Sequence, residues 1–155
     1  MATTQVVEFK IWGKQSEFRH SDAWMRGFVG GRGTGKTKIG AADMLLRARA
    51  GEPFMAVSPT YPMFEETTWP TFIETAEELR VLKRAVKGGK VPRCTWYTQD
   101  GGEAEVTFRT GVDPEALRGP NKAGLWLDEA SLMKKAVFDL AAATLRHKQG
   151  LGWLS

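Results

Sequence analysis

The stretch "GFVGGRGTGKTKIG", from Gly27 to Gly40, decides the fold because it places six glycines in fourteen residues. Each glycine gives up more backbone freedom on ordering than any other residue and has no side chain to pack. An apolar run, Trp24 to Val29, leads into the glycines and predicts a strand. The residues after them, "KTKIGAADMLLRARA", have helical spacing. The sequence therefore predicts a strand, a loop of bare backbone and a helix, in that order.

The glycine loop matches the pattern G-x-x-x-x-G-K-[ST] of the phosphate-binding P-loop. Its bare backbone lets successive N–H groups point at phosphate oxygens, and the dipole of the next helix favours the same anion. Lys36 is predicted to bridge the β- and γ-phosphates of ATP, and the Thr37 hydroxyl to hold Mg²⁺. A chance match in a flexible loop is the alternative. The predicted phosphate-binding residues are Gly30, Gly31, Arg32, Gly33, Thr34, Gly35, Lys36 and Thr37.

A second motif, "LWLDEA" from Leu125 to Ala130, is an apolar run that ends in two acids. A strand here would deliver Asp128 to its carboxyl end, where the carboxylate can join the magnesium shell. Glu129 could then act as the general base that polarises an attacking water. The alternative is that both acids merely begin a helix. Arg32, inside the loop, is either a solvated side chain or a cation that compensates charge on the γ-phosphate.

The rest of the chain predicts more strands and helices of a largely parallel α/β sheet. "FMAVSP" has the composition of a buried strand, and "CTWYTQDGGEAEVTFRTG" that of a β-hairpin turning near Gly101. Ser131 is predicted to cap a helix that runs to about His147. The final "GLGWLS" has the composition of a strand, and without further strands after Ser155 it should lack a neighbour at the sheet edge.

Composition and charge fit one soluble domain of 155 residues. The 22 Lys and Arg exceed the 18 Asp and Glu by four, which permits a polyanionic partner without requiring one. Cys94 is the single cysteine, so no internal disulfide can form. The sequence contains neither the apolar core of a signal peptide nor the roughly 18 apolar residues of a membrane span. We therefore expect a cytoplasmic protein that makes no membrane contact.

Three stretches resemble the N-terminal ATPase domain of tailed-phage or prophage terminase large subunits, the motors that pack double-stranded DNA into procapsids. They are "GGRGTGKT", "AVSPTYPMFEETTWPTF" and "FRTGVDPEALRGPNKAGLWLDEAS". The resemblance implies a RecA-like P-loop NTPase of the branch with an additional strand and a catalytic glutamate, which uses ATP and Mg²⁺. It implies that Arg32 acts at the γ-phosphate and that Gln15 reads the adenine edge through its amide. An exposed glutamine at a helix entry is the alternative for Gln15.

The resemblance also implies partners and a longer protein. Double-stranded DNA, a portal protein, a small terminase subunit and a homo-oligomeric ring are expected from it. Residues 1–155 are expected to be the ATPase domain, truncated near a Ser- and Thr-rich coupling motif at Ser155 and without the RNase H-like nuclease domain. The basic run Arg80–Arg93 is either a DNA contact or a solvated surface. A helicase-like nucleic-acid-stimulated ATPase and a nonenzymatic nucleotide-binding remnant are the alternative functions.

Overall fold

The structure is a computed structural model that describes residues 6–119, 121–146 and 150–155. A seven-stranded sheet with helices on both faces forms its centre. The strands are β1 (Met25–Gly27), β2 (Pro53–Ser58), β3 (Leu82–Val86), β4 (Arg93–Tyr97), β5 (Glu103–Thr110), β6 (Gly124–Leu127) and β7 (Leu151–Leu154). The α-helices are α1 (Gly13–His20), α2 (Lys36–Arg47), α3 (Tyr61–Met63), α4 (Trp69–Glu78) and α5 (Lys135–Ala142).

The strands lie in the order β1-β7-β6-β2-β5-β4-β3. The first five run parallel, whereas β4 and β3 extend the sheet as antiparallel strands. The predicted hairpin is confirmed, because β4 and β5 pair directly. The expectation that the last strand lacks a neighbour is wrong. Residues of β7 pair with β1 on one side and with β6 on the other, so the parallel sheet closes around this strand.

Each face of the sheet buries its own apolar cluster because side chains of a strand point alternately to the two faces. Phe54 and Ala56 of β2 point to the face covered by α1, α2 and α4, where most aromatic side chains pack. Met55 and Val57 point to the opposite face, which is covered by α5 and a 3₁₀ turn, Pro114–Leu117. This arrangement leaves the carboxyl ends of the parallel strands at one edge, where ligands bind in α/β sheets.

The helical stretch after β2 contains a π-helical turn, Phe64–Thr68, between α3 and α4. The N–H of Trp69 donates to the carbonyl of Phe64, five residues earlier. Pro70 explains this widening, because proline has no N–H and its ring clashes with the carbonyl four residues before it in a regular helix. The predicted irregularity near Pro70 is therefore confirmed.

The predicted helix start at Ser131 is wrong. Residues Ala130–Leu132 form a 3₁₀ turn, and α5 begins only at Lys135 after two extended residues. The turn is fixed at its start because the N–H of Ala130 donates to the carbonyl of Ser155 at 3.1 Å. The helix ends at Ala142, and the predicted terminus at His147 lies outside the described residues.

Candidate nucleotide-binding site

The glycine loop connects β1 to α2, as the sequence predicts. Gly33 and Gly35 have φ values of 77° and 75°, a left-handed conformation that glycine adopts without steric cost. Gly35 is the N-cap of α2, so the first turn of this twelve-residue helix presents its N–H groups toward the loop. The ammonium of Lys36 donates to the carbonyls of Gly30 and Gly31 at 3.0 and 3.1 Å. The loop thus folds around the lysine head group.

Asp128 follows β6 directly and lies below the start of α2. The Thr37 hydroxyl donates to its Oδ1 atom at 3.0 Å, although the two residues are 91 positions apart. Hydroxyls of Ser155 and Thr68 donate to the same carboxylate at 2.9 and 2.7 Å. Burial raises the pKa of Asp128, and the hydrogen bonds from the three hydroxyls oppose this rise. The structure therefore brings together the two residues that the sequence predicts as magnesium ligands.

The environment of Asp128 fits a divalent cation. Its side chain is 1% exposed, and no Lys, Arg or His among the described residues forms an ion pair with it. A buried carboxylate without a neutralising cation is costly, so a metal ion would relieve its charge. Within the described ranges no three His, Cys, Asp or Glu side chains cluster to hold a metal by themselves. That matches Mg²⁺, which takes one or two carboxylate ligands and completes its shell with water and phosphate oxygens.

Glu129 lies on the solvent side of Asp128, next to the loop. Its Oε1 atom is 3.9 Å from the Lys36 ammonium, and its backbone is left-handed, with φ of 51°. Both side chains line a cavity of about 240 Å³ between the loop and the ends of β6 and β7. Arg32 is exposed and forms no ion pair with any described residue. The structure thus places the predicted base beside the predicted phosphate-binding lysine and leaves the arginine in solvent.

Gln15 links α1 to the glycine loop. Its Oε1 atom accepts from the N–H of Trp12 at 3.0 Å, and its Nε2 atom donates to the carbonyl of Thr34 at 3.2 Å. A Cβ atom on Gly35 would lie 2.7 Å from that Nε2 atom, so the amide packs directly on the loop. Gln15 is 7% exposed, which excludes an exposed helix-entry glutamine. The adenine contact stays a prediction.

Sequence reasoning missed two hydroxyls beneath Asp128. Thr68 comes from the π-helical turn, and Ser58, the last residue of β2, donates to the Thr68 hydroxyl at 2.7 Å. The position of Ser58 at the carboxyl end of a strand could have indicated it. Nothing in the sequence indicates Thr68, because its orientation depends on the π turn. Ser155 was singled out, and Trp126 holds its hydroxyl through an N–H bond at 2.8 Å.

No helix among the described residues is long and apolar enough to span a membrane.

Comparison with known proteins identifies the fold. No protein-family model matches this sequence, and no curated protein matches it. The Thermus phage P74-26 large terminase ATPase domain is similar in structure, with a TM-score of 0.73 and 20% identity over 96% of this chain and 65% of that chain. The large terminase of a second thermophilic bacteriophage is similar with a TM-score of 0.78 and 17% identity over 92% and 38%, respectively. It has also been solved with ADP and with ATP-gamma-S.

The Phi-28 gp11 DNA packaging motor is similar more distantly, with a TM-score of 0.53 and 19% identity over 90% of this chain and 48% of that one. This chain thus spans less than two thirds of the length of each of these structures. The likenesses confirm the predicted fold class, a P-loop α/β sheet flanked by helices. The additional strand of the RecA-like branch corresponds to β7, which separates β1 from β6. The chain has the fold of phage large terminase ATPase domains.

Proposed function

We propose that residues 1–155 are the ATP-hydrolysing motor domain of a DNA-packaging terminase large subunit, which drives double-stranded DNA into procapsids. The observation that carries the proposal is the meeting of Thr37 and Asp128 at 3.0 Å beneath a glycine loop, with Glu129 next to Lys36. The shared fold with phage large terminase ATPase domains supports it. A homo-oligomeric ring, a portal protein and a small terminase subunit belong to the proposal by that resemblance.

In this proposal the loop binds the triphosphate of ATP. Lys36 exchanges the carbonyls of Gly30 and Gly31 for oxygens of the β- and γ-phosphates, because a phosphate carries the charge that a carbonyl lacks. The first N–H groups of α2 donate to the same anion. Arg32 has no competing ion pair among the described residues and compensates charge on the γ-phosphate. The Gln15 amide turns from its backbone partners to the adenine edge.

Thr37 and Asp128 would hold Mg²⁺ in this site. Both offer the oxygen ligands that this ion prefers, and they already lie within hydrogen-bond distance of each other. When bound there, Mg²⁺ supplies positive charge against the phosphate oxygens. Burial keeps Asp128 in one orientation, because all three hydroxyl donors surround it.

Glu129 acts on water in the hydrolytic step. Its carboxylate accepts a proton from a water molecule while that oxygen forms a bond to the γ-phosphorus. The bond from the γ-phosphorus to the β–γ bridging oxygen breaks, and ADP and inorganic phosphate leave. Lys36, 3.9 Å from the carboxylate, orients Glu129 toward the phosphate side of the cavity.

The partner DNA would contact the basic end of the β3–β4–β5 extension, which we define as Lys87, Lys90, Arg93 and Arg109. Acidic residues of the same strands lie toward the other end, where β5 begins with Glu103. Because β5 pairs in parallel with β2, the basic end lies at the sheet edge that also carries the nucleotide site. Lys87, Lys90 and Arg109 line one cavity of about 400 Å³ there. Such cations neutralise phosphates without reading sequence.

The first test is nucleotide binding and ATP hydrolysis by the purified chain, beside Lys36→Ala and Glu129→Gln. We expect DNA-stimulated turnover that both substitutions abolish, while Glu129→Gln still binds ATP. Equal ATP affinity in wild type and Lys36→Ala would overturn the phosphate site. Binding without any turnover would favour the nonenzymatic alternative. Stimulation by single-stranded but not double-stranded nucleic acid would favour a helicase-like ATPase.

The second test addresses the basic end. Lys90→Ala with Arg93→Ala should weaken duplex binding and reduce its dependence on salt, because each lost phosphate contact removes about one unit of the salt slope. Lys135→Ala is the matched control, since this exposed lysine pairs with Asp139 on α5. Equal loss in the control and in the double variant would contradict the assignment of this surface.

A further inference from the structure

Two buried hydroxyls hold the Oδ2 atom of Asp128 from below. Thr68 Oγ1 lies 2.7 Å from Oδ2, and Ser58 Oγ lies 2.7 Å from Thr68 Oγ1. Thr68 and Ser58 are each 1% exposed. The other carboxylate atom, Oδ1, receives the hydroxyls of Thr37 and Ser155. The two oxygens of Asp128 therefore have different partners, one set on the nucleotide side and one in the interior.

The direction of these hydrogen bonds follows from the chemistry of the groups. An ionised carboxylate can only accept, so the single hydroxyl proton of Thr68 points at Asp128. Thr68 must then accept from Ser58, whose proton fixes the remaining lone pair. Both hydroxyls are thereby oriented. A donor whose own position is fixed restricts the carboxylate more strongly than a freely rotating hydroxyl would.

The backbone that delivers Thr68 is itself unusual. The π-helical turn Phe64–Thr68 ends at this residue, and the proline two positions later explains the turn. Such turns are rare and occur often at functional sites. Phe64 is buried on the same side, so aromatic packing fixes the turn from the opposite end. The position of the Thr68 hydroxyl is therefore set by the packing of the whole segment.

We propose that Thr68, oriented by Ser58, is a positioning residue for the magnesium ligand Asp128. It fixes Oδ2 in the interior so that Oδ1 faces Thr37, where the metal would bind. This inference rests on the proposed function, because it assigns Asp128 to the metal. Residues that orient metal ligands typically change metal affinity or activity by about 10- to 100-fold when they are lost.

The test compares nucleotide affinity with and without the metal. A fluorescent ATP analogue is titrated into wild type and Thr68→Val, once in Mg²⁺ and once in EDTA. Valine keeps the shape of threonine and removes the hydroxyl. We expect Thr68→Val to need roughly 10- to 100-fold more Mg²⁺ for half-maximal enhancement of affinity. Its affinity in EDTA should equal that of wild type, because the Thr68 hydroxyl bonds Asp128 and Ser58 and not the glycine loop.

Two further variants separate positioning from folding. Thr68→Ser keeps the hydroxyl and should restore the Mg²⁺ dependence of wild type. Thr75→Val is the matched control, since Thr75 is a buried threonine of α4 whose hydroxyl donates to the carbonyl of Thr71. Ser58→Ala should shift the Mg²⁺ requirement in the same direction as Thr68→Val, by less. It covers the case in which Thr68→Val does not fold.

The outcomes distinguish this inference from the proposed function. An unchanged Mg²⁺ requirement in Thr68→Val, or in Ser58→Ala if the valine variant is unfolded, would overturn the role of Thr68 alone. Equal shifts in Thr68→Val and Thr75→Val would also overturn it, because they would reflect packing. Wild type without affinity for the ATP analogue in either buffer would overturn both the inference and the proposed function.

Discussion

Gly40 offers a direct test of how closely α2 approaches the sheet. Its carbonyl accepts the indole N–H of Trp153 at 3.2 Å. A Cβ atom at this position would lie 2.4 Å from Nε1 of Trp126 and 2.6 Å from its Cε2 atom. Trp126 is fully buried and its Nε1 donates to Ser155, so the ring has no free side toward which to move. We therefore predict that Gly40→Ala destabilises the fold.

The magnitude follows from three opposing contributions. Alanine in a helix interior is favoured over glycine by about 1 kcal/mol. Overpacking of a rigid core costs typically about 1–3 kcal/mol. Displacement of Trp126 also weakens its hydrogen bond to Ser155, which contributes about 1 kcal/mol. The net loss should be roughly 1–3 kcal/mol, equivalent to a Tm lower by about 2–12 °C for a domain of this size.

Urea unfolding followed by tryptophan fluorescence measures this loss, and Gly13→Ala is the control. Gly13 opens α1, and a Cβ atom there would meet nothing within 4 Å. The control should therefore leave the free energy of unfolding unchanged or slightly higher. If Gly40→Ala were as stable as Gly13→Ala, the close approach of α2 to Trp126 would be refuted. The argument that glycine is needed here for space would then fail.

Three further predictions concern buried polar groups. Arg26→Met should cost about 3 kcal/mol in urea unfolding, because Arg26 and Asp43 form a buried ion pair at 2.6 Å, and Arg26→Met with Asp43→Leu should recover part of that loss. Burial lowers the pKa of Lys122, so Lys122→Met should raise Tm at pH 7, and this gain should shrink as pH rises toward the free-lysine pKa of about 10.4, where the wild type folds uncharged. Burial raises the pKa of the Cys94 thiol to about 12, so thiol reagents should label the native protein at pH 8 only as fast as it unfolds.

Local signals were enough to predict most of the elements around the site. The glycine loop is read from steric need, the strand before Asp128 from its apolar run, and the β4–β5 hairpin from its alternation and its glycines. Each of these depends on residues that are neighbours in sequence. The failed helix start at Ser131 shows the limit of such signals. A tertiary hydrogen bond from Ala130 to Ser155 holds this segment in a 3₁₀ turn, and no local propensity encodes it.

The site itself was predicted only in part, because its geometry depends on distant segments. Thr37 and Asp128 belong to recognisable motifs, so their meeting could be expected. Thr68 belongs to none, and only the π turn directs its hydroxyl toward Asp128. The position of β7 between β1 and β6 could likewise not be derived from its four residues. Strand order is decided by the packing of the whole sheet, and here it brings Ser155 to Asp128.

The π-helical turn joins the nucleotide site to the basic end of the sheet. Thr68 contacts Asp128 at one end of the turn, and Glu65 pairs with Lys87 at 3.1 Å. Both side chains of that ion pair are 41% exposed, so it contributes at most about 1 kcal/mol and cannot transmit much force. The aromatic contact is firmer, because Phe64 packs on the buried Phe108 of β5 at 5.6 Å between ring centroids. A displacement of Asp128 would therefore reach the basic end through packing and not through charge.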